Sequence, residues 1–309
     1  MSVCYSLCLL KSVANLQKVA RLKPFTLQFV TIPNCRNIKL LLLNHAFSTT
    51  FDPLFARFMN PEPLISIITI TFNAEGCLRT TLQSVASQTE RSFEHLIIDG
   101  ASTDETLSVA RKYGVSGLRI ISEPDDGLYY AMNKGLHAAR GEYVIFLNAG
   151  DAFTASDTLA RYARAARNGA DMVYADTILV DSDGRTVGPR HLSVPDRLTL
   201  RSLAGGMKVC HQAFMVKRSM APDYDTRYRF SADYDWMVRC VKNSSPDKAT
   251  NLRCVAIAYL TDGLTDRNMV ASLKERFLIM KEHFGLLPTM VRHIGFAGRF
   301  LMRRIKNKK

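Results

Sequence analysis

Four short polar segments hold the residue types in this 309-residue chain that could perform chemistry. They are residues 71–75, 99–104, 123–127 and 148–151, and each directly follows a run of mostly apolar residues. Any one of them could be an ordinary turn, because Asp, Asn and Gly favour turns. Four at one edge of one sheet indicate a ligand site, because open α/β sheets bind ligands beyond the carboxyl ends of their strands.

An acidic sheet edge binds phosphate poorly unless a divalent cation lies between the two. Mg²⁺ and Mn²⁺ accept one or two carboxylates together with phosphate oxygens. Asp151, after the fourth apolar run, is the best-placed ligand, and the expected chemistry is the departure of a metal-bridged diphosphate. Neither G-x-x-x-x-G-K-[ST] nor G-x-G-x-x-G occurs, which disfavours ATPases and nicotinamide enzymes.

The elements that must position these segments alternate between strands and helices. Continuous apolar runs predict strands at 64–71, 95–99, 118–122 and 143–147. Apolar residues at helical spacing predict helices at 76–88, 104–113, 128–140 and 157–168. This alternation predicts right-handed crossovers and a parallel sheet. Further along the chain, the pattern predicts a hairpin of 172–179 and 186–191, strands at 212–216 and 255–260, and helices at 230–241, 272–284 and 289–306.

The net charge of +13 lies in two tails rather than in the body of the chain. Residues 1–58 hold seven basic residues and one acidic residue, residues 288–309 hold seven basic and no acidic ones, and residues 59–287 hold 27 of each. The neutral body gives no indication of a nucleic-acid groove. The seven cysteines are odd in number and form no C-x-x-C pair, which predicts free thiols in a reducing compartment.

The two basic tails fit a membrane surface or a targeting segment. Within 288–309, apolar residues from Met290 to Ile305 recur at steps of three and four, and basic residues from Arg292 to Lys306 occupy the other side. This pattern predicts a basic amphipathic helix lying in a membrane interface, and the alternative is a surface helix with a solvated face. For residues 1–58 three interpretations stay open: a targeting presequence, a membrane-surface tail, or a non-native extension ahead of a start at Met59.

Five segments, in this order, resemble family 2 glycosyltransferases with the GT-A fold: SIITITFNAE, SFEHLIIDGASTDET, SEPDDGLYYAMNKGLHAARGEYVIFLNAGDAF, HQAFMV and SADYDWMVRC. Each is weak alone, but their combination is specific, and the resemblance extends to about residue 287. It is nearest to bacterial enzymes of exopolysaccharide, colanic-acid and O-antigen assembly. The resemblance implies an α/β fold with a Rossmann-like, mainly parallel central sheet flanked by helices, and C-terminal helices.

The resemblance also assigns roles to individual residues. Those implied to contact the nucleotide or nucleotide-sugar are Thr71, Asn73, Glu75, Asp99, Ser102, Asn133, Lys134 and Asn148. Asp151 would bind Mg²⁺ or Mn²⁺, and His211 would be a further metal or diphosphate contact. Asp233 would be the general base of an inverting transfer, taking the proton of the acceptor hydroxyl as that hydroxyl attacks the anomeric carbon.

The implied donor is a nucleoside-diphosphate sugar, with UDP favoured and GDP and dTDP open. The implied acceptor is a lipid-linked or growing saccharide, and the implied location is cytoplasmic, peripheral on the inner face of the cell membrane, with no nucleic-acid partner. The corresponding domains are an extension (1–58), a GT-A domain (59–265) with a nucleotide-binding half (64–153) and an acceptor half (154–265), and C-terminal helices (266–309).

Three positions depart from the family pattern. Asn148 replaces the first Asp of Asp-x-Asp, Ala232 replaces the Glu of a Glu-Asp pair, and Tyr130 stands where relatives often carry Asp. These departures motivate an alternative, a catalytically degenerate nucleotide-sugar-binding or scaffold protein of the same fold. Asp233 and Asp235 are two apart on a predicted helix and do not share a face, so one is expected at the cleft and the other at a cap or an Arg.

Overall fold

The computed structural model describes residues 27–31, 39–43, 62–261 and 268–294. The chain divides into two compact units, Met1–Pro61 and Glu62–Lys309. In the first unit, β1 (Leu27–Thr31) pairs antiparallel with β2 (Lys39–Leu43). The rest of the predicted 1–58 extension and the end of the predicted 289–306 helix lie outside the described residues. The predicted domain boundaries stay predictions.

The first half of the large sheet consists of four parallel strands linked by helices. The strands are β3 (Ile65–Thr71), β4 (Phe93–Asp99), β5 (Arg119–Ser122) and β6 (Tyr143–Phe146). The linking helices are α1 (Leu78–Ala86), α2 (Thr106–Tyr113) and α3 (Leu128–Ala138). Strand β3 lies between β4 and β6, and β5 lies outside β4. The strands, helices and parallel direction predicted for this half are confirmed.

The second half extends the same sheet in mixed directions. Its elements are β7 (Ala152–Phe153), α4 (Thr158–Arg167), β8 (Met172–Val180), β9 (Thr186–Pro189), α5 (Leu200–Leu203), β10 (Phe214–Lys217), α6 (Ala232–Lys242), β11 (Ala249–Leu260) and α7 (Met269–Phe284), followed by helical residues 286–294. The sheet order is β5-β4-β3-β6-β10-β8-β11-β7, with β9 paired to β8. Strand β10 runs antiparallel to both β6 and β8, so it joins the two halves.

Two predicted strands differ in their limits from the observed ones. The strand expected at 212–216 begins only at Phe214, because His211–Ala213 form a 3₁₀ turn. The strand expected at 255–260 begins already at Ala249, and its pairing with β8 shifts register between Asn251 and Ile257. The polar first part of β11 and these irregularities interrupt the alternation on which a strand prediction depends.

Strand β3 is buried on both faces, as its continuous apolar sequence predicts. Ile65 and Ile67 pack in one hydrophobic cluster, and Ile68 and Ile70 pack in the cluster on the opposite face of the sheet. Trp236 of α6 belongs to the second cluster; it is fully buried and its Nε1 donates to the Pro222 carbonyl at 2.7 Å. The only tryptophan is therefore a core residue.

Candidate active site

The polar segments after β3, β4 and β5 meet at Asp99, the last residue of β4. Thr71 and Ser122 lie opposite Asp99 in the neighbouring strands, and their hydroxyls donate to its carboxylate at 2.9 and 2.7 Å. Ser102 donates to it through both its backbone N–H and its hydroxyl. Burial opposes ionisation of Asp99, but these hydrogen bonds outweigh it and hold its pKa below the ordinary value.

Two exposed side chains of the first segment fasten the loop after β4. Asn73 adopts a left-handed backbone (φ 48°), which Asn tolerates better than most residues, and its Oδ1 accepts from the N–H of Thr103 at 3.0 Å. Glu75 accepts from the N–H of Glu105 at 2.8 Å. The five predicted nucleotide contacts from Thr71 to Ser102 thus lie at one edge of the sheet. Thr71 and Ser102 bind Asp99, and the Ser102 hydroxyl accepts from the Asn73 N–H at 2.8 Å, whereas Glu75 binds the loop beside them.

Phe72 is a feature of this edge that the sequence analysis missed. Its ring is 66% exposed although it directly follows a buried strand. It lies beside Gly100, where an added Cβ would stand 3.3 Å from the Phe72 ring and 2.8 Å from Asp125 Oδ2. The segments after β3, β4 and β5 therefore leave an open aromatic surface flanked by a carboxylate. An aromatic residue inside a polar strand-end segment was the available signal.

Two other predicted nucleotide contacts hold loops in place instead of presenting free polar groups. The side-chain amide of Asn133 donates to the Tyr224 carbonyl at 3.0 Å and accepts from the Tyr224 N–H at 2.7 Å. Lys134 binds the Pro124 carbonyl and the Glu123 carboxylate, both at 2.9 Å. Lys134 thereby holds the loop between β5 and α3. The nucleotide contacts expected of Asn133 and Lys134 stay predictions.

The segment after β6 holds Asn148 and Asp151, which have different surroundings. Asn148 Oδ1 is buried and has no hydrogen-bond partner among the described residues. Asp151 is also buried, and its Oδ1 accepts from the Leu260 N–H at 2.9 Å, while Gln212 also binds its carboxylate. Burial raises the pKa of Asp151 to about 7. Asp151 stands three positions after Asn148, whereas an Asp-x-Asp pair is two apart, and that position is Gly150.

His211 lies in the core rather than among free metal donors. Its Nε2 is 2.6 Å from the Tyr224 hydroxyl, and its ring packs against Phe146 and Trp236. Burial lowers the pKa of His211 to about 4, which keeps the ring neutral. Within the described ranges, no group of three or more His, Cys, Asp or Glu side chains could hold a metal ion. The described side chains therefore form no complete Mg²⁺ or Mn²⁺ centre by themselves, and metal binding by Asp151 and His211 stays a prediction.

Asp233 occupies the first turn of α6 and is half-buried. Its Oδ1 accepts from the Tyr129 hydroxyl at 3.3 Å and from the Tyr234 N–H at 2.9 Å, and no hydrogen bond recorded in the described chain uses Oδ2. Asp235 is buried and binds Arg239 at 2.6 Å and His283 Nε2 at 2.6 Å. One carboxylate of the pair thus keeps an oxygen available, and the other is committed to an arginine, as expected.

The sequence profile described as glycosyl transferase family 2 matches residues 66–224 of the chain. The chain belongs to glycosyl transferase family 2. It is 37% identical over 204 residues to the PGL/p-HBAD biosynthesis glycosyltransferase of Mycobacterium bovis, covering 63% of this chain and 76% of that relative. The family predicted from the five segments is therefore confirmed.

Solved structures similar to this family 2 chain share its fold. TarS 1–349 of S. aureus in complex with UDP-GlcNAc superposes with a TM-score of 0.58 at 18% identity, covering 75% of this chain and 73% of TarS. A mannosyltransferase from Pyrobaculum calidifontis, in complex with GDP-Man and Mn²⁺, gives a TM-score of 0.50 at 17% identity, covering 77% and 76%. The GT-A fold is confirmed.

Proposed function

We propose that this family 2 glycosyltransferase transfers a sugar, with inversion, from a nucleoside diphosphate to a lipid-linked or growing saccharide during cell-surface polysaccharide or glycolipid assembly. The observation that carries the proposal is the position of Asp233. Its carboxylate belongs to α6, yet it accepts from Tyr129 of α3, which closely follows the Asp-Asp-Gly segment after β5. The proposed base, from the second half of the chain, thus binds a residue that closely follows a strand-end segment of the first half.

The reaction needs one proton transfer and one displacement. Asp233 takes the proton of the acceptor hydroxyl, and the hydroxyl oxygen attacks the anomeric carbon. The bond from that carbon to the diphosphate oxygen breaks, and the nucleoside diphosphate leaves with the electron pair. Because attack comes from the face opposite the leaving group, the anomeric configuration inverts. Tyr129 orients Asp233 through Oδ1, so Oδ2 is the oxygen that meets the acceptor.

The donor is proposed to bind across Phe72 and the Asp99 network. The exposed Phe72 ring offers a stacking surface for a nucleobase, and bases stack on aromatic side chains with about 1–3 kcal/mol each. The S. aureus neighbour is recorded with UDP-GlcNAc and the Pyrobaculum neighbour with GDP-Man. UDP is the favoured nucleotide of the proposed donor, with GDP and dTDP as alternatives.

Metal dependence is also proposed, with Mg²⁺ or Mn²⁺ accompanying the donor. Its support is the Mn²⁺ recorded with the Pyrobaculum neighbour and the unpartnered Asn148 Oδ1 at the end of β6. A divalent cation neutralises charge on a departing diphosphate. Asp151, the predicted ligand nearby, already accepts from the Leu260 N–H of β11 through Oδ1.

Membrane contact through the C-terminal basic segment is proposed from the face that helix 286–294 exposes. Leu287, Val291 and Ile294 lie on one side of it, between 69% and 76% exposed, whereas Thr289 is buried and His293 packs on Phe277. A surface helix with a solvated face would expose polar residues there instead. No described helix is long and apolar enough to cross a membrane. An apolar face followed by a strongly basic tail suits the surface of an anionic bilayer.

The decisive experiment compares nucleotide binding with turnover in wild type, Asp233→Asn and Phe72→Ala. Thermal shift with UDP, GDP and dTDP, with and without Mn²⁺, identifies the base; saturation at about 100 Kd adds about 2.7 kcal/mol of stability. Asp233→Asn should bind like wild type and lose transfer at least about 100-fold. Phe72→Ala should weaken binding, and Phe72→Tyr should restore it. Nucleotide binding without any donor cleavage by wild type would favour the degenerate binding protein.

A further inference from the structure

The start of α6, which carries Asp233, is held from outside by α7. The carboxylate of Glu275 accepts from the backbone N–H of Arg229 and of Phe230, both at 2.8 Å. These residues directly precede the N-cap, Ser231, and Asp233 is the second residue of the helix. One carboxylate thus fixes two consecutive peptide units of the chain that leads into the proposed base.

Two further residues of α7 bind the same stretch. The hydroxyls of Ser231 and Ser272 are 2.9 Å apart, and both side chains are buried. The Tyr228 hydroxyl donates to Glu282 at 2.9 Å. The residues from 228 to 231 are therefore bound to α7 at every position.

The N-cap residue of helix α6, Ser231, makes no side-chain cap to its own helix. An N-cap serine ordinarily accepts from an N–H of the first turn of its own helix, and this satisfies one of the four unpaired donors there. Ser231 makes no such bond, because its hydroxyl is engaged with Ser272. The position of the first turn of α6 consequently depends on α7 rather than on a local cap.

The electrostatic surroundings place Glu275 near the site as well. Burial and the charge of Asp233 raise the pKa of the Tyr129 hydroxyl, and the charge of Glu275 contributes to this rise. The negative charge of Glu275 thus bears on the same hydroxyl that binds the proposed base. Farther along the two helices, Asp235 and His283 join them again at 2.6 Å.

We infer that Glu275 is a positioning residue for glycosyl transfer, setting the place of Asp233 through the backbone of Arg229 and Phe230. The inference rests on the proposed function, in which Asp233 is the base. Displacing a catalytic group by about 1 Å costs about 100-fold in rate. The hydrogen bonds of Glu275 given for the described residues go to Arg229 and Phe230 and not to the sheet edge or Asp233, so its loss should lower kcat and leave the KM for the donor unchanged.

The test measures kcat and donor KM with the full chain in wild type, Glu275→Gln and Glu275→Ala. A glutamine keeps one acceptor oxygen and so one of the two N–H bonds, whereas alanine keeps neither. We expect kcat to fall about 3–10-fold in Glu275→Gln and about 30–100-fold in Glu275→Ala, with donor KM within about twofold. Equal kcat in all three proteins would overturn the inference, as would a loss confined to KM.

Two controls separate positioning from general destabilisation. Tyr162→Phe removes a buried hydrogen bond to the Ala213 carbonyl on the other side of the sheet, so it should lower the melting temperature without changing kcat. Lys274→Ala changes an exposed residue next to Glu275 on α7 and should change neither the melting temperature nor kcat. If Tyr162→Phe lowered kcat as much as Glu275→Ala at equal loss of stability, the positioning role would be wrong.

A double variant, Asp233→Asn with Glu275→Ala, separates failure of this inference from failure of the proposed function. If Glu275 acts through Asp233, the double variant transfers sugar no more slowly than Asp233→Asn alone. Losses that multiply would show that Glu275 acts elsewhere while leaving Asp233 as the base. Full activity of Asp233→Asn would instead overturn the proposed function itself. Because Glu275→Gln keeps one bond, it provides the comparison even where Glu275→Ala folds poorly.

Discussion

Replacing Asp151 with asparagine should change how the stability of the protein depends on pH. Burial raises the pKa of this carboxyl from 3.8 to about 7 in the folded protein. Between these values the folded state holds a proton that the unfolded state releases, so stability falls as pH rises and levels off above pH 7. The free energy of unfolding falls by about 1.36 kcal/mol for each pH unit between the two pKa values, which is about 4 kcal/mol in all. The amide of an asparagine cannot titrate, so Asp151→Asn lacks this loss.

The assay is urea unfolding in EDTA at pH 5, 6, 7 and 8. The free energy of unfolding of Asp151→Asn, taken relative to wild type, should rise by about 3 kcal/mol between pH 5 and pH 8. Asp157 is half-exposed and paired with Arg161; Asp157→Asn is the matched control, and its stability relative to wild type should change little over this pH range. Parallel curves for wild type and Asp151→Asn would refute the reasoning. A separate measurement at pH 8, with Mn²⁺ in place of EDTA, reports on metal binding, because an Asp151 metal site would stabilise wild type alone.

Three further outcomes are expected. Burial lowers the pKa of His95 to about 4, so between pH 6.5 and 4 the unfolded chain takes up a proton that the folded chain does not. The free energy of unfolding of wild type should therefore fall by about 3 kcal/mol as pH falls from 6.5 to 4, and that of His95→Gln should fall less in the same urea titration. Gly135→Ala should destabilise by about 1–3 kcal/mol despite the better helix propensity of alanine, because its Cβ would stand 2.5 Å from Ile68; an unchanged unfolding midpoint would contradict the packing. Leu287→Asp should reduce sedimentation with anionic vesicles at least about fivefold, whereas Val187→Asp, similarly exposed on β9, should not; equal binding would exclude this face.

The strands and helices of the first half were predictable because their signals are local. Strand β3 is a continuous β-branched run, and α3 ends before Gly141, close to where the sequence places its end. The antiparallel insertion of β10 was not predictable in this way. Its direction depends on pairing with β6 and β8, far away along the chain, and its four residues carry no signal of orientation.

The site was predictable in location but not in the use of its side chains. Strand-end segments in parallel crossovers had to meet at one edge, and they do at Asp99. Residue type does not reveal whether a polar side chain already has a hydrogen-bond partner within the protein. The Asn133 amide is hydrogen-bonded to the backbone of Tyr224, and the Asp151 carboxylate accepts from the N–H of Leu260. The helical period did separate Asp233 from Asp235, since it requires different surroundings for residues two apart.

The position of β10 between β6 and β8 also has a consequence for synthesis of the chain. The parallel strands β3 to β6 are complete once residue 146 has emerged, but one edge of β6 has no partner until Phe214–Lys217 arrives. Leu260, which binds Asp151, is synthesised 109 residues after it, and Asp233, which binds Tyr129, is synthesised 104 residues after it. An unpaired strand edge is a template for pairing with other chains. We expect nascent chains of intermediate length to need chaperone protection, and the proposed base to reach its place only when α7 has been made.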